Sequence, residues 1–367
     1  MRPTGVTVAT FNLNLGADLR PLFGATGAEE LAERTASIWS HVEASRPAER
    51  MALAARLLHR HVPDVVAIQE AALWRAGTTE SPRTHDLLAL LLRELDALGS
   101  PYAVAAEVVV LSSGELSAVL IQLTGQVVEL ADRGVILVRQ DPAVSVAPRW
   151  AGAPGVQESG VYRTALTVEV ASHPVTVRRG WCAVDVRVGN ATLRVVATHL
   201  EAHDSRVRDA QAGELVSGVV SLRPPYPTVV LGDLNCLPPG VSCEASGHPT
   251  GRPGDAYHQL TGTGLRDAWL MASTEGERGG ASCDSSGDLR PTKASSPARH
   301  ITGMKPIYLR NGVRSRRRGR KGRSRSHGTI LGRTERKTLR AMRKIACYVL
   351  RHVCPRFASK FLSPATY

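Results

Sequence analysis

Seven short runs rich in β-branched and aliphatic residues constrain the fold of this chain more than any other feature. They lie at 63–68, 117–122, 134–139, 163–170, 182–187, 192–198 and 228–232, and turn-forming residues bound each of them. Some runs alternate apolar with polar residues, as strands with one exposed face do, whereas others are apolar throughout, as buried strands are. Helical spacing of apolar residues is clearest at 47–61, 84–98 and 205–221. Many strands with few helices favour two stacked sheets with helices outside over a regular βαβ barrel.

The charge of the chain changes sign near residue 303. The 367 residues carry a net charge of +13, but residues 305–367 hold 19 Lys and Arg against one acid, Glu335. The preceding 304 residues carry 27 basic and 32 acidic groups, so the high charge says nothing about nucleic-acid binding by the body. This boundary predicts a domain at 1–302 and a basic, largely disordered tail at 303–367. A basic amphipathic helix is predicted at 335–353, with an unfolded segment as the alternative.

The six cysteines form no CxxC pair and show no zinc-type spacing with histidine. Scattered buried thiols are therefore favoured over a metal cluster or a disulfide framework. The N-terminus shows no charged region followed by an apolar stretch, and no run reaches the 18 apolar residues of a membrane span. We expect a cytoplasmic protein, or a secreted one if a signal peptide lies upstream of this start.

Four polar clusters each follow directly on a strand-like run. They are FNLN at 11–14, IQE at 68–70, THLE at 198–201 and GDLN at 232–235. Each alone is explained by a turn, a solvated strand end or a hydrogen-bonded core histidine. Together they place polar side chains where strand ends deliver them into one shared cleft.

The residue types in these clusters suit hydrolysis of a phosphoester. Because the negative charge of a phosphodiester repels nucleophiles, a hydrolase needs a hard cation, neutral donors and a group that deprotonates water. Carboxylate and amide oxygens favour Mg²⁺ or Mn²⁺ over zinc. Glu70 is the natural metal ligand, His199 and Asn235 can donate hydrogen bonds to phosphate oxygens, and Asp233 can orient or activate water.

The order FNLN, PDVVAIQE, THLE, GDLN and LRDAW resembles the endonuclease/exonuclease/phosphatase superfamily over about residues 5–300. The resemblance implies an α+β fold: a four-layer α/β/β/α sandwich of two mainly antiparallel β-sheets flanked by helices. It also implies roles for seven residues: Asn12 and Glu70 as the metal-site pair with Asn14 beside them, His199 and Asn235 at the phosphate-gripping positions, Asp233 as the water-orienting aspartate, and Asp267 as the aspartate that orients a general-base histidine.

The terminal histidine motif of that superfamily is missing from this chain. Members end with a Ser-Asp-His motif, whereas residues 299–302 read RHIT and no Ser-Asp-His follows. His300 and His327 are the nearby histidines, and neither has a matching context. We hypothesise a frameshift or terminal rearrangement around residues 285–305. Loss of a general base alone lowers the rate by about two to four orders of magnitude.

Three functions remain open on the sequence. The first is an active, monomeric, Mg²⁺- or Mn²⁺-dependent phosphoester hydrolase of the phosphodiesterase, nuclease or phosphatase type. The second is a catalytically impaired relative, and the third is a binder of nucleic acid or anionic surfaces through residues 305–344. The AALW segment after Glu70 differs from the Thr-Lys typical of apurinic-site endonucleases, which argues against DNA repair. Nucleic acid, nucleotides, lipid headgroups and sugar phosphates all remain as substrates.

Overall fold

The computed structural model describes residues 5–78, 80–113, 126–147, 158–222, 224–236, 254–268, 308–310 and 346–351. The strands in these residues are β1 (Gly5–Asn12), β2 (Val65–Gln69), β3 (Leu73–Thr78), β4 (Pro82–Asp86), β5 (Tyr102–Ser112), β6 (Gln126–Arg139), β7 (Val144–Val146), β8 (Ser159–Val161), β9 (Leu166–Val170), β10 (His173–Val177), β11 (Gly180–Val188), β12 (Ala191–His199), β13 (Thr228–Asp233), β14 (Arg266–Asp267), β15 (Tyr308–Arg310) and β16 (Ala346–Arg351). The α-helices are α1 (Ala28–Ala44), α2 (Pro47–His61), α3 (Leu87–Ala97), α4 (Ser205–Gly218) and α5 (Ala256–Gly262).

Most of these strands form two large sheets. The first has the order β16-β1-β2-β6-β3-β4, with β5 also paired to β6, and the second has the order β14-β15-β13-β12-β11-β7, with β8 also paired to β11. The hairpin of β9 and β10 forms a separate two-stranded sheet. Pairing is antiparallel except between β1 and β2 and between β12 and β13, which are parallel. The two sheets are therefore mainly antiparallel, as predicted.

Three apolar cores separate four layers. Side chains between the two sheets, such as Val8, Ile136, Val184 and Val195, form the middle core. The outer face of the first sheet packs on α1, α2 and α3, and the outer face of the second packs on α4 and α5. Successive residues of a strand point to opposite faces, so one strand such as β1 contributes to both cores. The order helix, sheet, sheet, helix confirms the predicted α+β sandwich.

Three of the helices begin at an aspartate cap. Asp86 accepts a hydrogen bond from the Ala89 amide, Asp204 from the amides of Arg206 and Val207, and Asp255 from the His258 amide. Such caps satisfy amides that the first helical turn leaves without partners. In contrast, α2 begins with Pro47, whose fixed φ suits the first turn and which has no amide hydrogen to satisfy.

Most of the predicted elements are present with shifted bounds. The helix predicted at 47–61 matches α2, whereas the segment 84–98 begins as strand β4 and becomes helical at Leu87. Apolar periodicity did not predict α1, because polar residues interrupt its buried Leu31, Ile38 and Val42. The strand predicted at 117–122 lies outside the described residues.

Two segments of the basic tail belong to the sheets. β15 pairs with β13 and β14, and β16 pairs antiparallel with β1. The helix predicted at 335–353 is therefore wrong over Ala346–Arg351, because pairing with the edge of β1 satisfies backbone groups that an edge strand leaves open. Residues 335–345 and 352–353 of that helix lie outside the described residues, and the division at residue 302 stays a prediction. Among the described helices, none combines the length and apolar character that a membrane crossing requires.

Candidate active site

The predicted site residues lie at the carboxyl ends of two parallel strand pairs, one in each sheet. In the first sheet Asn12 is in register with Gln69, so Glu70 follows at the same edge. In the second sheet His199 is in register with Asp233. Because parallel strands end at the same edge, each pair places two polar side chains together, and sheet packing then brings the two edges close.

Asn12 joins the two sheets. Its amide Nδ2 donates to Glu70 Oε1 at 2.7 Å and to Asp233 Oδ2 at 3.1 Å, while its Oδ1 accepts from the Asn14 amide at 2.8 Å. Asn12 and Asp233 are both buried. The carboxylates of Glu70 and Asp233 are 163 positions apart in the chain. The amide group of Asn12 therefore holds them close together.

A buried arginine fixes the loop that follows β1. Arg50 is fully buried, and its Nη1 donates to the carbonyls of Leu13 at 2.8 Å and Asn14 at 3.2 Å. The Leu15 amide donates to Glu70 Oε2 at 2.7 Å, and the Trp74 indole donates to the Leu15 carbonyl at 2.8 Å. Burial lowers the pKa of Arg50 to about 10, a value that still leaves the side chain charged at neutral pH. The loop is thus held from both sides while it orients the Glu70 carboxylate.

Three site residues adopt left-handed backbone conformations. Asn14, Glu70 and Asn235 have φ values of 63°, 56° and 47°. For residues other than glycine this region is uncommon, and such strain concentrates at functional sites, where surrounding contacts enforce it. The three strained positions all follow the ends of β1, β2 or β13, where the chain turns sharply at the edge of a sheet.

His199 lies between an aspartate and an arginine. Its Nε2 is 3.8 Å from Asp233 Oδ2, and Arg179 Nη1 is 3.1 Å from its Nδ1. The same Nη1 lies 3.4 Å from Nε2. Because a guanidinium only donates and Nδ1 is the nearer nitrogen, we assign Nδ1 as the acceptor, which leaves the ring hydrogen of a neutral imidazole on Nε2. Arg179 Nε also lies 3.5 Å from Oε2 of the fully buried Glu201.

Negative charge accumulates beside Glu70. Burial raises the pKa of Glu70, and the charge of Asp233 adds to this effect, whereas the hydrogen bond from Asn12 opposes it. Burial, together with the charge of Glu70, raises the pKa of Asp132 to about 7. Asp132, Glu70 and His199 line one cleft between the sheets. Burial therefore raises the pKa values of Glu70 and Asp132 more than the nearby charge of Arg179 lowers them.

The chemistry of these donors fits a hard cation. Within the described residues, no group of three or more His, Cys, Asp and Glu side chains is arranged to hold a metal ion. However, Oδ1 of buried Asp132 has no hydrogen-bond partner in the described part of the chain. Glu70 lines the same cleft, and its carboxylate shares the Asn12 amide with that of Asp233. Oxygen donors of this kind suit Mg²⁺ or Mn²⁺ better than zinc.

The structure gives the other predicted residues different neighbours. Asn14 Oδ1 accepts from the Gly16 amide at 2.8 Å, which closes a turn. Asn235 Nδ2 donates to the Leu200 carbonyl at 2.8 Å and so ties the loops after β12 and β13 together. Asp267 lies 3.4 Å from the Tyr257 hydroxyl, and through β15 it is in register with Val230 rather than with Asp233. The contacts thus group Asn12, Glu70, His199 and Asp233, with Asn14 and Asn235 in the adjoining turns.

Three residues at the site were not among the predictions. Asp132 interrupts an apolar strand with a charge, a signal that the sequence does contain. Arg179 lies in a turn and Arg50 on an ordinary amphipathic helix, so no local pattern distinguishes either from a surface arginine. Their contacts with the site depend on pairs of residues distant in the chain.

The chain is similar to proteins of one family. The profile described as Endonuclease/Exonuclease/phosphatase family matches residues 9–282. No curated protein sequence matches the chain.

A comparison with solved structures found several similar chains. The crystal structure of an endonuclease/exonuclease/phosphatase family protein from Bacteroides thetaiotaomicron is 15% identical, with a TM-score of 0.40 and 73% of each chain covered. A protein of the same family from Leptotrichia buccalis is 12% identical, with a TM-score of 0.43 and coverage of 83% of this chain and 87% of that chain. The human Nocturnin catalytic domain with bound sulfate is 13% identical, with a TM-score of 0.42 and coverage of 84% and 82%.

Proposed function

The chain belongs to the Endonuclease/Exonuclease/phosphatase family, and from this premise we propose that it hydrolyses a phosphoester bond by cation-assisted attack of water on phosphorus. Family membership supports the hydrolase type of function. The cation, the roles of individual residues and the substrate go further and are our proposal. The cation is Mg²⁺ or Mn²⁺, and the enzyme acts as a monomer.

The contact of Asn12 with both Glu70 and Asp233 carries this proposal. It brings a carboxylate from each sheet to one amide group, with distances of 2.7 and 3.1 Å. Two nearby carboxylates repel each other, so a fold gains little from this arrangement alone. A phosphoester hydrolase needs it, because the acids supply oxygen ligands and a group that orients water.

Each side chain of the site has a separate task in this proposal. Glu70 holds the cation, with Asn12 orienting its carboxylate and Asn14 shaping the adjoining turn. When bound, the cation would neutralise charge on the phosphate oxygens and make water more acidic. His199 donates its Nε2 hydrogen, and Asn235 its amide hydrogen, to phosphate oxygens. These donors stabilise charge that grows as the pentavalent transition state forms.

Asp233 is the group that orients and deprotonates the attacking water. Its Oδ2 accepts from Asn12 and lies 3.8 Å from His199 Nε2, so a water beside these groups meets an acceptor in Asp233 and a donor in His199. In the superfamily Asp267 would orient a general-base histidine, but the sequence offers no Ser-Asp-His motif. We therefore propose that Asp233 accepts the proton of the attacking water and that Asp267 has only a supporting role.

Hydrolysis of a chromogenic phosphodiester in the presence of Mg²⁺ tests the proposal. Glu70→Gln keeps the shape of the side chain but removes its charge, so we expect the rate to fall by about 100-fold or more. Glu33→Gln on the exposed face of α1 is the matched control and should leave the rate unchanged. Equal rates in the wild type and in Glu70→Gln would exclude this site as the catalytic centre.

The impaired relative is the main alternative, and the same assay identifies it. A folded wild-type protein that hydrolyses neither diesters nor monoesters with Mg²⁺ or Mn²⁺ would be a relative that keeps the fold without the chemistry. The missing histidine motif is the observation that favours this outcome. A slow but measurable rate that depends on Glu70 would instead show that the site hydrolyses phosphoesters without the histidine motif.

The basic tail supports a second, additional proposal: nonspecific binding of nucleic acid or another polyanion through residues 305–344. Clustered Arg and Lys neutralise phosphates without sequence preference, so the affinity should fall steeply as salt rises. Deletion of residues 311–345, which spares β15 and β16, should abolish this salt-dependent binding. An unchanged affinity after the deletion would disprove the proposal.

A further inference from the structure

Arg179 is held rigidly beside His199 by the sheet. Arg179 lies in the two-residue link between β10 and β11, and Gly180, which follows it, is in register with His199. Its carbonyl accepts from the Tyr162 amide at 2.9 Å. The Tyr162 hydroxyl in turn lies 2.7 Å from Thr198 Oγ1, one residue before His199. The backbone of Arg179 is therefore tied to the strand that ends in the candidate active site.

The guanidinium of Arg179 is largely buried, and it contacts His199 through Nη1 but leaves its Nε without a hydrogen bond among the described residues. Its side chain is 11% exposed, and its Nε lies 3.5 Å from Oε2 of Glu201, which is fully buried. Neither atom makes a hydrogen bond within the described residues. Burying donors and acceptors that are left without hydrogen bonds costs stability. We expect this arrangement where an arginine binds a ligand that is not part of the chain.

The charge of Arg179 acts on the proposed catalytic cluster. It lowers the pKa of Glu70 and of Asp132, although burial outweighs it at both carboxyls. An anion that contacts both Arg179 and His199, which touch each other, would therefore lie beside the proposed cation site. The planar guanidinium can donate two parallel hydrogen bonds to two oxygens of one phosphate. The ammonium group of lysine does not offer this geometry.

We propose that Arg179 binds the non-bridging oxygens of the substrate's phosphate group and that Glu201 holds the guanidinium in place for it. The inference rests on the proposed hydrolysis, since it concerns the same cleft. Inorganic phosphate carries the same oxygens, so it binds to Arg179 as well. Phosphate binding can therefore be measured whether or not the protein turns over a substrate.

Thermal unfolding of the full chain in magnesium chloride, titrated with inorganic phosphate, tests this proposal. A ligand that binds the folded state raises the melting temperature, and the rise follows the logarithm of ligand concentration divided by Kd. Arg179→Met should weaken phosphate binding about 10- to 100-fold, because hydrogen bonds to charged groups are lost. Arg178→Met removes the same charge from the exposed neighbouring position and should bind phosphate like the wild type.

Arg179→Lys keeps the charge and provides the second variant if Arg179→Met does not fold. It should bind phosphate more weakly than the wild type, because lysine lacks the two-pronged donor geometry. Three results would overturn the proposal: wild-type affinity in Arg179→Met, equal weakening in Arg178→Met, or no stabilisation of the wild type by phosphate. Phosphate binding without any hydrolysis would support the role of Arg179 and count against the proposed function alone.

Discussion

Asn12 is the residue at which the two sheets meet at the candidate site. A single Nδ2 group donates to one carboxylate from each sheet, Glu70 and Asp233. The contact offsets part of the repulsion between these two acids. It also explains why an asparagine, which supplies a donor without a charge, ends β1 at this point.

Replacing Asn12 by aspartate tests this role with almost no change in shape. Asn12→Asp removes the donor and adds a third negative charge, so kcat/KM for a phosphodiester should fall about 10- to 100-fold. Asn190→Asp, in an exposed turn, adds the same charge elsewhere and should have no effect. Steady-state kinetics of both variants at constant ionic strength provide the measurement, and an Asn12→Asp enzyme as active as Asn190→Asp would contradict this role.

At the residue scale, the sequence predicted those side chains that follow strand ends. Asn12, Glu70, His199 and Asp233 were found because a polar cluster after an apolar run marks the edge of a sheet. Arg179 was not found, since its relation to His199 depends on the pairing of β11 with β12. A residue that reaches the site from a turn or from a neighbouring helix leaves no local pattern.

β12 and β13 lie close together at Gly232, just before Asp233. Its φ of 147° favours glycine, and a Cβ atom there would lie 1.9 Å from the Thr198 carbonyl oxygen of the paired strand. Any side chain at this position would push apart the strands that carry His199 and Asp233. The glycine therefore determines how closely these two catalytic candidates approach.

Gly232→Ala should destabilise the protein by about 2–5 kcal/mol, from backbone strain and overpacking together. Gly218→Ala at the end of α4 is the control, because a Cβ there meets nothing within 4 Å. Urea denaturation of both variants gives the two free energies of unfolding. A Gly232→Ala protein as stable as Gly218→Ala would show that the strands can separate without cost.

Glu214 on α4 predicts a dependence of stability on pH. Burial alone would raise its pKa, but hydrogen bonds from the Arg163 and Thr164 amides, at 2.8 and 2.9 Å, lower it below the ordinary value of 4.5. A carboxyl whose pKa is lower in the folded state stabilises the protein above the unfolded pKa. This stabilisation is lost as the pH falls below about 4.5 and through the folded pKa.

The free energy of unfolding should therefore decline less steeply in Glu214→Gln than in the wild type as the pH falls below about 4.5. Urea unfolding at several pH values measures the two slopes, and Glu33→Gln, an exposed position on α1, should keep the wild-type slope. Identical slopes in Glu214→Gln and the wild type would mean that these hydrogen bonds do not lower the pKa of Glu214, which would contradict the prediction.

At the element scale, the sequence predicted elements that have a regular local pattern. It did not predict elements whose conformation depends on pairing with a distant strand. The periodicity of α2 and the apolar runs of β12 and β13 gave those elements nearly their observed bounds. Ala346–Arg351 belongs to the segment 335–353, whose spacing of apolar and basic residues also suits a helix. Its strand conformation depends on β1, which lies more than 330 positions earlier. A preference set by a distant partner is not visible in the local sequence.

The whole molecule combines a weakly acidic body with a strongly basic tail. The two parallel strand pairs end at one edge of the sandwich, where carboxylates gather around a cleft between the sheets. The tail supplies a strand to each sheet, since β15 pairs with β13 and β16 with β1. Tail segments thus contribute to the two sheets that carry the site, although the tail differs in composition from the rest of the chain.

Removal and return of the divalent cation test the central claim most directly. The wild-type protein is treated with EDTA, and the rate of phosphodiester hydrolysis is measured before and after Mg²⁺ is added in excess. The account predicts that hydrolysis stops with EDTA and returns with Mg²⁺ in the wild type but not in Glu70→Gln. Hydrolysis that continues at the same rate without the cation, or that returns equally in Glu70→Gln, would contradict it.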